Sequence, residues 1–178
     1  MKEILLNINA DVGEGIGNEH LLFPLISSCN IACGGHTGDS ESMLAIVKLA
    51  KKHKLKMGAH PSFPDKENFG RKTISISKDE LLKSLIYQIE SLNRILITEN
   101  CSLHHVKPHG ALYNLAANDK ETAKIIVDIM KKINVKLYVP YSSLIAEIAK
   151  KANVQIYYEL FLDRNYNSDL TLVSRKND

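Results

Sequence analysis

The sequence predicts an α/β fold of the TIM-barrel-like kind, and three observations carry that prediction. Strand-like and helix-like runs alternate along nearly the whole chain, the pattern of parallel strands joined by crossover helices. The first strand lies in "LLNINADVGEGIG" and sets Asn7, Asn9 and Asp11 on one face, with Leu6, Ile8 and Ala10 on the other. Helices on both sides of an open sheet would bury those three polar groups at high cost, whereas a barrel interior accepts a polar upper layer. All nine glycines precede residue 111, and most closely follow a strand. There they permit tight turns and close backbone approach to a ligand, which marks the carboxyl edge of the strands as the working rim.

The elements follow in order. Strands are expected at 4–10, 28–32, 55–59, 103–107, 136–139 and 155–161, each a short apolar or alternating run. Between the second and third lies "DSESMLAIVKLAKKH", a helix with Asp39 or Ser40 as its cap. "SKDELLKSLIYQIESLNRIL" opens with a capping box, Ser77 to Glu80, and repeats Leu81, Leu82, Leu85, Ile86, Ile89 and Leu92 at helical spacing. "NDKETAKIIVDIMKKI" opens with Asn118 as its expected cap and gathers Ile125, Ile126, Ile129 and Met130 on one side; "SSLIAEIAKKA" behaves similarly.

Composition narrows the function. The chain has 178 residues, 44% hydrophobic and 24% charged, which suits a single globular domain over 1–178. A net charge of +3, from 23 basic and 20 acidic residues, is too balanced for a nucleic-acid or membrane-surface footprint. No run of 18 apolar residues exists, and "MKEILLNINADVGEG" turns polar too soon for a signal peptide. Cys29, Cys33 and Cys101 form no C-x-x-C pair, and free thiols fit a reducing cytoplasm. Cys33 reads as a small buried residue rather than a nucleophile.

Chemistry collects at four strand ends. The first supplies Asn9 and Asp11; "SSCNIACGGHTGDS" supplies Asn30, His36 and Asp39; "KMGAHPSFPD" supplies His60 and Asp65, with Arg71 in the following "ENFGRK". The fourth, "HHVKPHGALYN", places His105, Lys107 and His109 on one face by the strand period. Asp11 is the natural partner for Lys107, which can then polarise a carbonyl or move a proton. Truncating Lys107, taken as an exposed rim charge, is expected to abolish turnover and spare the fold. His20, His53 and His104 read as structural or exposed, Asp39 equally as a helix cap, and Tyr113 and Asn114 as loop-fixing groups. His36, His60 and Asp11 are the candidate ligands of a divalent metal, although no H-E-x-x-H is present. "GEGIG" is not G-x-G-x-x-G, and no P-loop exists, so any ATP lacks a standard cradle here.

Taken together, "NINADVGEGIG", "SSCNIACGGHTGDSESM", "MGAHPSFPDKENFGR", "HHVKPHGALYN" and "ELFLDRNYNSDLTLVSR" resemble the LamB/YcsF family, in order and without large gaps. The resemblance implies a distorted β/α barrel of the glycoside hydrolase/deacetylase type. It implies hydrolysis of the lactam of 5-oxo-L-proline to L-glutamate, coupled to ATP and performed with 5-oxoprolinase subunits B and C. Carried over, Asp11, His60, Lys107 and His109 are the expected catalytic residues. Asn9, Asn30, His36, Asp39, Arg71, Asp163 and Arg164 are the expected substrate-binding ones. Gly35 departs from the family's usual aromatic residue, and Leu170 from its common glycine. Family members also continue past the "LVSR" equivalent toward the ~250 residues of a full barrel. The chain is therefore expected to be an incomplete barrel at its carboxyl end and to self-associate as a homo-oligomer over the open side. Two other readings stay open: a metal-dependent deacetylase acting alone, and a truncated, non-catalytic binding or scaffold protein.

Overall fold

A computed structural model describes residues 6–168, 170 and 172–173. Six parallel strands form one sheet in chain order: β1 (Asn9–Val12), β2 (Ser28–Ala32), β3 (Lys56–His60), β4 (His105–Val106), β5 (Lys136–Pro140) and β6 (Ile156–Glu159). The helices are α1 (Glu19–Leu22), α2 (Ser40–Lys52), α3 (Lys78–Thr98), α4 (Gly110–Ala116), α5 (Lys120–Ile133) and α6 (Leu144–Lys151), with a 3-10 turn at Phe23–Leu25. Among the described residues no helix is long and apolar enough to cross a membrane.

The sheet curls. Five gaps of 4.7–4.9 Å would put β1 and β6 roughly 24 Å apart in a flat sheet. Asn9 Nδ2 on β1 nonetheless donates to Glu159 Oε2 on β6 at 3.2 Å. Asn7 Nδ2 likewise reaches the Tyr138 hydroxyl of β5 at 3.1 Å. Opposite edges can meet through their side chains only if the inward faces converge, which is the barrel geometry the polar face of β1 predicts. The other face of the sheet is apolar: Val12, Ile31, Ala59, Val106, Leu137 and Val139 are all buried. Against it pack the stripes of the helices. In α3 these are Leu81, Leu85, Ile89, Leu92 and Leu96, at helical spacing.

The helix starts are built by side chains. Ser77 accepts from Glu80 N, and the Glu80 carboxylate returns the bond, forming the expected box. The cap of α5 is Asp119, whose carboxylate accepts from Thr122 N, so the helix starts one residue later than Asn118 would put it. The first strand also differs from 4–10: residues 6–8 run alongside the sheet, and the ladder itself begins at Asn9. Residues 1–5 lie outside the described residues. That shift moves Asp11 from the turn into the strand. The expected fourth strand shrinks to His105–Val106, because Pro108 follows closely and lacks an N–H for the ladder.

Candidate active site

A hollow of about 900 Å³ opens at the carboxyl ends of the strands. Asp11, Glu14, His60, Arg71, Lys107 and His109 line it, with Glu159, Asp163 and Arg164 contributed from the last strand and the segment after it. At its centre Lys107 Nζ lies 3.0 Å from Asp11 Oδ1 and 3.3 Å from Glu159 Oε2. The Lys107 side chain is only 5% exposed, so it is a buried cation between two carboxyl groups and not an exposed rim charge. Burial pulls its pKa down, but Asp11 and Glu159 outweigh this and hold it above the ordinary lysine value. For Asp11, burial pushes upward while His60 and Lys107 pull harder, leaving its carboxyl well below the usual range.

Beneath this pair runs a one-way chain of hydrogen bonds across the barrel interior. Lys136 Nζ can only donate, so His104 Nε2 accepts from it at 3.1 Å. His104 Nδ1 must then carry the proton it offers to His105 Nδ1 at 3.0 Å. His105 Nε2 in turn donates to Asn30 Oδ1 at 2.6 Å. The Asn30 amide ends the chain on Asn9 Oδ1 and Asp11 Oδ1, at 2.6 and 2.8 Å. The direction requires both imidazoles neutral. Burial first, and then the nearby Lys136, hold His104 down to about 4; burial and the cations around it also keep His105 well below its ordinary value. Gly58 makes the crossing possible, since a Cβ there would sit 2.1 Å from His105 Nε2.

Three more histidines meet on the other side of Asp11. His36 Nε2 donates to Glu14 Oε1 at 3.0 Å, and the rings of His36 and His109 stack at 3.7 Å. Glu14, His36, His60 and His109 bring four possible ligand atoms within 4.8 Å of one another, a cluster able to hold a metal ion. Burial, followed by His60 and His36, lowers His109 to about 3, and burial lowers His36 against the pull of Glu14. Glu14 itself is lowered, its hydrogen bond from His36 and the neighbouring His60 and His109 overcoming burial.

The structure brings together Asn9, Asp11, Asn30, His36, His60, Lys107 and His109, with Asn9, Asn30 and His36 beneath the hollow and not on its wall. Arg71 reaches the wall and lies over the Phe69 ring at 5.0 Å. Asp163 lines the hollow from an exposed position, while Arg164 donates to the Val173 carbonyl. Asp39 does not join them. Its carboxylate caps α2 by accepting from Ser42 N at 2.8 Å, and the side chain faces solvent. Of the expected ligands Asp11, His36 and His60, the two imidazoles lie in the cluster with Glu14 and His109, and Asp11 lies beside it with Oδ1 engaged by Lys107 and Asn30 and Oδ2 3.4 Å from His60 Nε2. Burial pushes the Cys33 thiol up to about 12, which removes it as a nucleophile.

Sequence reasoning missed Glu14 and Glu159. Glu14 sits between Gly13 and Gly15, both at positive φ (74° and 82°), so the "GEG" turn folds its carboxylate back over the imidazoles. That glycine pair was a readable signal. Glu159 carried none, because its place depends on closure of β6 toward β1.

The model of the LamB/YcsF family matches residues 6–178. The chain is 44% identical over 177 residues to the 5-oxoprolinase A subunit of Haemophilus influenzae (strain PittEE), covering 98% of this chain and 71% of that one. It is 42% identical over 179 residues to the 5-oxoprolinase A subunit of Bacillus cytotoxicus, covering 97% and 71%. Among solved structures, the lactam utilization protein from Thermus thermophilus superposes with a TM-score of 0.93 at 39% identity, over 97% of this chain and 73% of that one.

Proposed function

The chain belongs to the LamB/YcsF family, and we propose that it is the lactam-opening component of a 5-oxoprolinase, converting 5-oxo-L-proline to L-glutamate. The observation that carries this reading is the Lys107 ammonium, held charged by Asp11 and Glu159 at the floor of the hollow. A lactam carbonyl develops negative charge on oxygen when water attacks its carbon. A fixed ammonium in a site shielded from solvent stabilises that charge far better than bulk water does. Addition of water gives a tetrahedral centre; the C–N bond then breaks, the nitrogen takes a proton, and the open chain leaves as an amino acid. Arg71 and Arg164 supply cations on the wall for the substrate carboxylate.

A five-membered lactam is a stable amide, so its hydrolysis needs an added driving force. We assign that force to ATP, used together with 5-oxoprolinase subunits B and C, and place the protein in the cytoplasm as one domain. Association with a second copy belongs to the same reading, and the exposed Tyr157 and Tyr158 of β6, at 44% and 43%, favour it.

The test is glutamate release from 5-oxo-L-proline, with ATP and the two partner subunits present. Release that depends on this chain supports the assignment, and Asp11→Asn is expected to lower it at least ~100-fold, in the range of removing one stabilising group. Hydrolysis of an acylated sugar by this chain alone, or ligand binding without turnover in the full complex, would refute it.

A further inference from the structure

His60 and His109 meet in a way that hydrolysis through Lys107 does not use. His60 Nδ1 lies 2.7 Å from the Lys107 carbonyl, and His109 Nε2 lies 3.0 Å from the Phe69 carbonyl. A carbonyl only accepts, so each of those nitrogens carries the proton. The remaining nitrogens, His60 Nε2 and His109 Nδ1, therefore face each other as lone pairs at 3.0 Å. Two lone pairs at that distance repel unless something positive sits beside them. Carboxylate oxygens close on the same point. Asp11 Oδ2 is 3.4 Å from His60 Nε2, and Glu14 Oε1 is 3.4 Å from His109 Nδ1 and 3.9 Å from His60 Nε2. Asp11 gives its other oxygen to Lys107 and Asn30, so Oδ2 remains for the cluster.

We propose that Asp11 Oδ2, Glu14 Oε1, His60 Nε2 and His109 Nδ1 bind a first-row divalent cation on the floor of the hollow, and that His36 is a positioning residue for Glu14. Ligand bonds of 2.0–2.1 Å to a tetrahedral ion leave neighbouring donors about 3.3–3.4 Å apart. The four separations given above, from His60 and His109 to each other and to the two carboxylates, run from 3.0 to 3.9 Å and bracket that value. The carbonyls behind His60 and His109 fix each tautomer with its ligating nitrogen free, the usual outer support of a metal-bound imidazole.

His36 is excluded as a ligand by geometry. Its ring is parallel to that of His109 within 3°, at 3.7 Å, so an ion in the plane of one ring lies outside the plane of the other. Its Nε2–H is spent on Glu14. The four proposed donors all line the hollow and His36 does not, so the ion would keep a face open to a water or a carbonyl oxygen, as catalytic rather than structural sites do. Action on a lactam carbonyl rests on the function proposed above; binding of the ion does not.

The competing occupant is a proton shared between the two imidazoles. Titrating the chelator-treated full chain with Zn²⁺ and with Co²⁺ separates the two. The expected result is one equivalent bound with micromolar affinity or better, and a visible Co²⁺ band from a site of low coordination number. His60→Ala and His109→Ala each lose at least ~100-fold in Zn²⁺ affinity, while His36→Ala loses about 10-fold, as for a residue that only supports a ligand. Glu14→Gln keeps the side-chain shape and guards against misfolding; it should weaken Zn²⁺ binding without moving the metal-free unfolding midpoint. His53→Ala, outside the site, should bind normally. Absence of binding below millimolar Zn²⁺, or undiminished binding in His60→Ala, overturns the proposal. So do ring ¹⁵N shifts of a shared-proton pair that do not change when Zn²⁺ is added. Because these readouts follow the metal and not glutamate, failure of the lactam assignment leaves them intact.

Discussion

At the level of single residues, Lys107 ties the chemistry to the fold, because its ammonium is buried between Asp11 and Glu159. The strand period put it on the chemical face and paired it with Asp11, but gave no measure of burial and no sign of Glu159. With both carboxyl groups in contact, Lys107→Ala removes a charge that two others are arranged around. A fully buried pair broken in this way costs about 3–5 kcal/mol. Asp11 still presents 32% of its side-chain surface to the hollow, where water screens it. We therefore expect a smaller loss, about 1–3 kcal/mol, alongside loss of turnover. Urea unfolding of Lys107→Ala measures it, and an unchanged midpoint would mean that the two carboxyl groups are already satisfied by water. Leu170 is the other residue whose role the chain alone left blank. Its φ of 66° lies in the left-handed region that favours glycine, in keeping with the glycine that the family resemblance leads one to expect there.

Among the elements, strands and helices were legible wherever local signals are strong. Ser77 and Glu80 announce α3, and the alternating polarity of β1 announces a barrel interior. What failed was local chemistry with two equally good answers. Asn118 and Asp119 are both good caps, and it is the Asp119 carboxylate that accepts the Thr122 N–H. Asp39 could serve a helix or a pocket, and the helix wins because its carboxylate reaches Ser42 N at no cost in burial. Gly58 illustrates a role invisible in one dimension. Its neighbours in register are Asn30 on β2 and His105 on β4, and the imidazole crosses above it to join them. Gly58→Ala must push His105 aside and break the chain that holds Asp11 from below. Overpacking of this kind costs about 1–3 kcal/mol. Beyond that loss, the variant should slow turnover with little change in KM, because Asp11 is misplaced while the wall proposed to bind substrate is untouched. A normal kcat in a destabilised Gly58→Ala would assign the chain to stability alone.

For the molecule as a whole, the sequence reached the fold through periodicity, yet the site only through family likeness and convergence of strand ends. Burial by distant segments is what single-chain patterns do not encode, so Glu159 and the depth of Lys107 emerged only when β6 curled back toward β1. The same curling creates a global dependence on pH. In the unfolded chain His104 and His105 take protons near 6.5. In the folded chain His104 does so at about 4, and His105 also far below its ordinary value. Between pH 6.5 and 4 the unfolded state therefore binds more protons, and stability must fall as pH falls through that window. The upper part of the window, from 6.5 to 5, is the diagnostic one, because ordinary carboxylates are still ionised there in both states. Urea midpoints should decline steadily from pH 7 to 5, and His104→Gln, which keeps an acceptor for Lys136 without a titrating ring, should make the decline shallower, with His36, His105 and His109 supplying the rest. A midpoint constant over that range in the unaltered protein would mean that water reaches the two imidazoles, and that the one-way chain ending on Asp11 does not persist in solution.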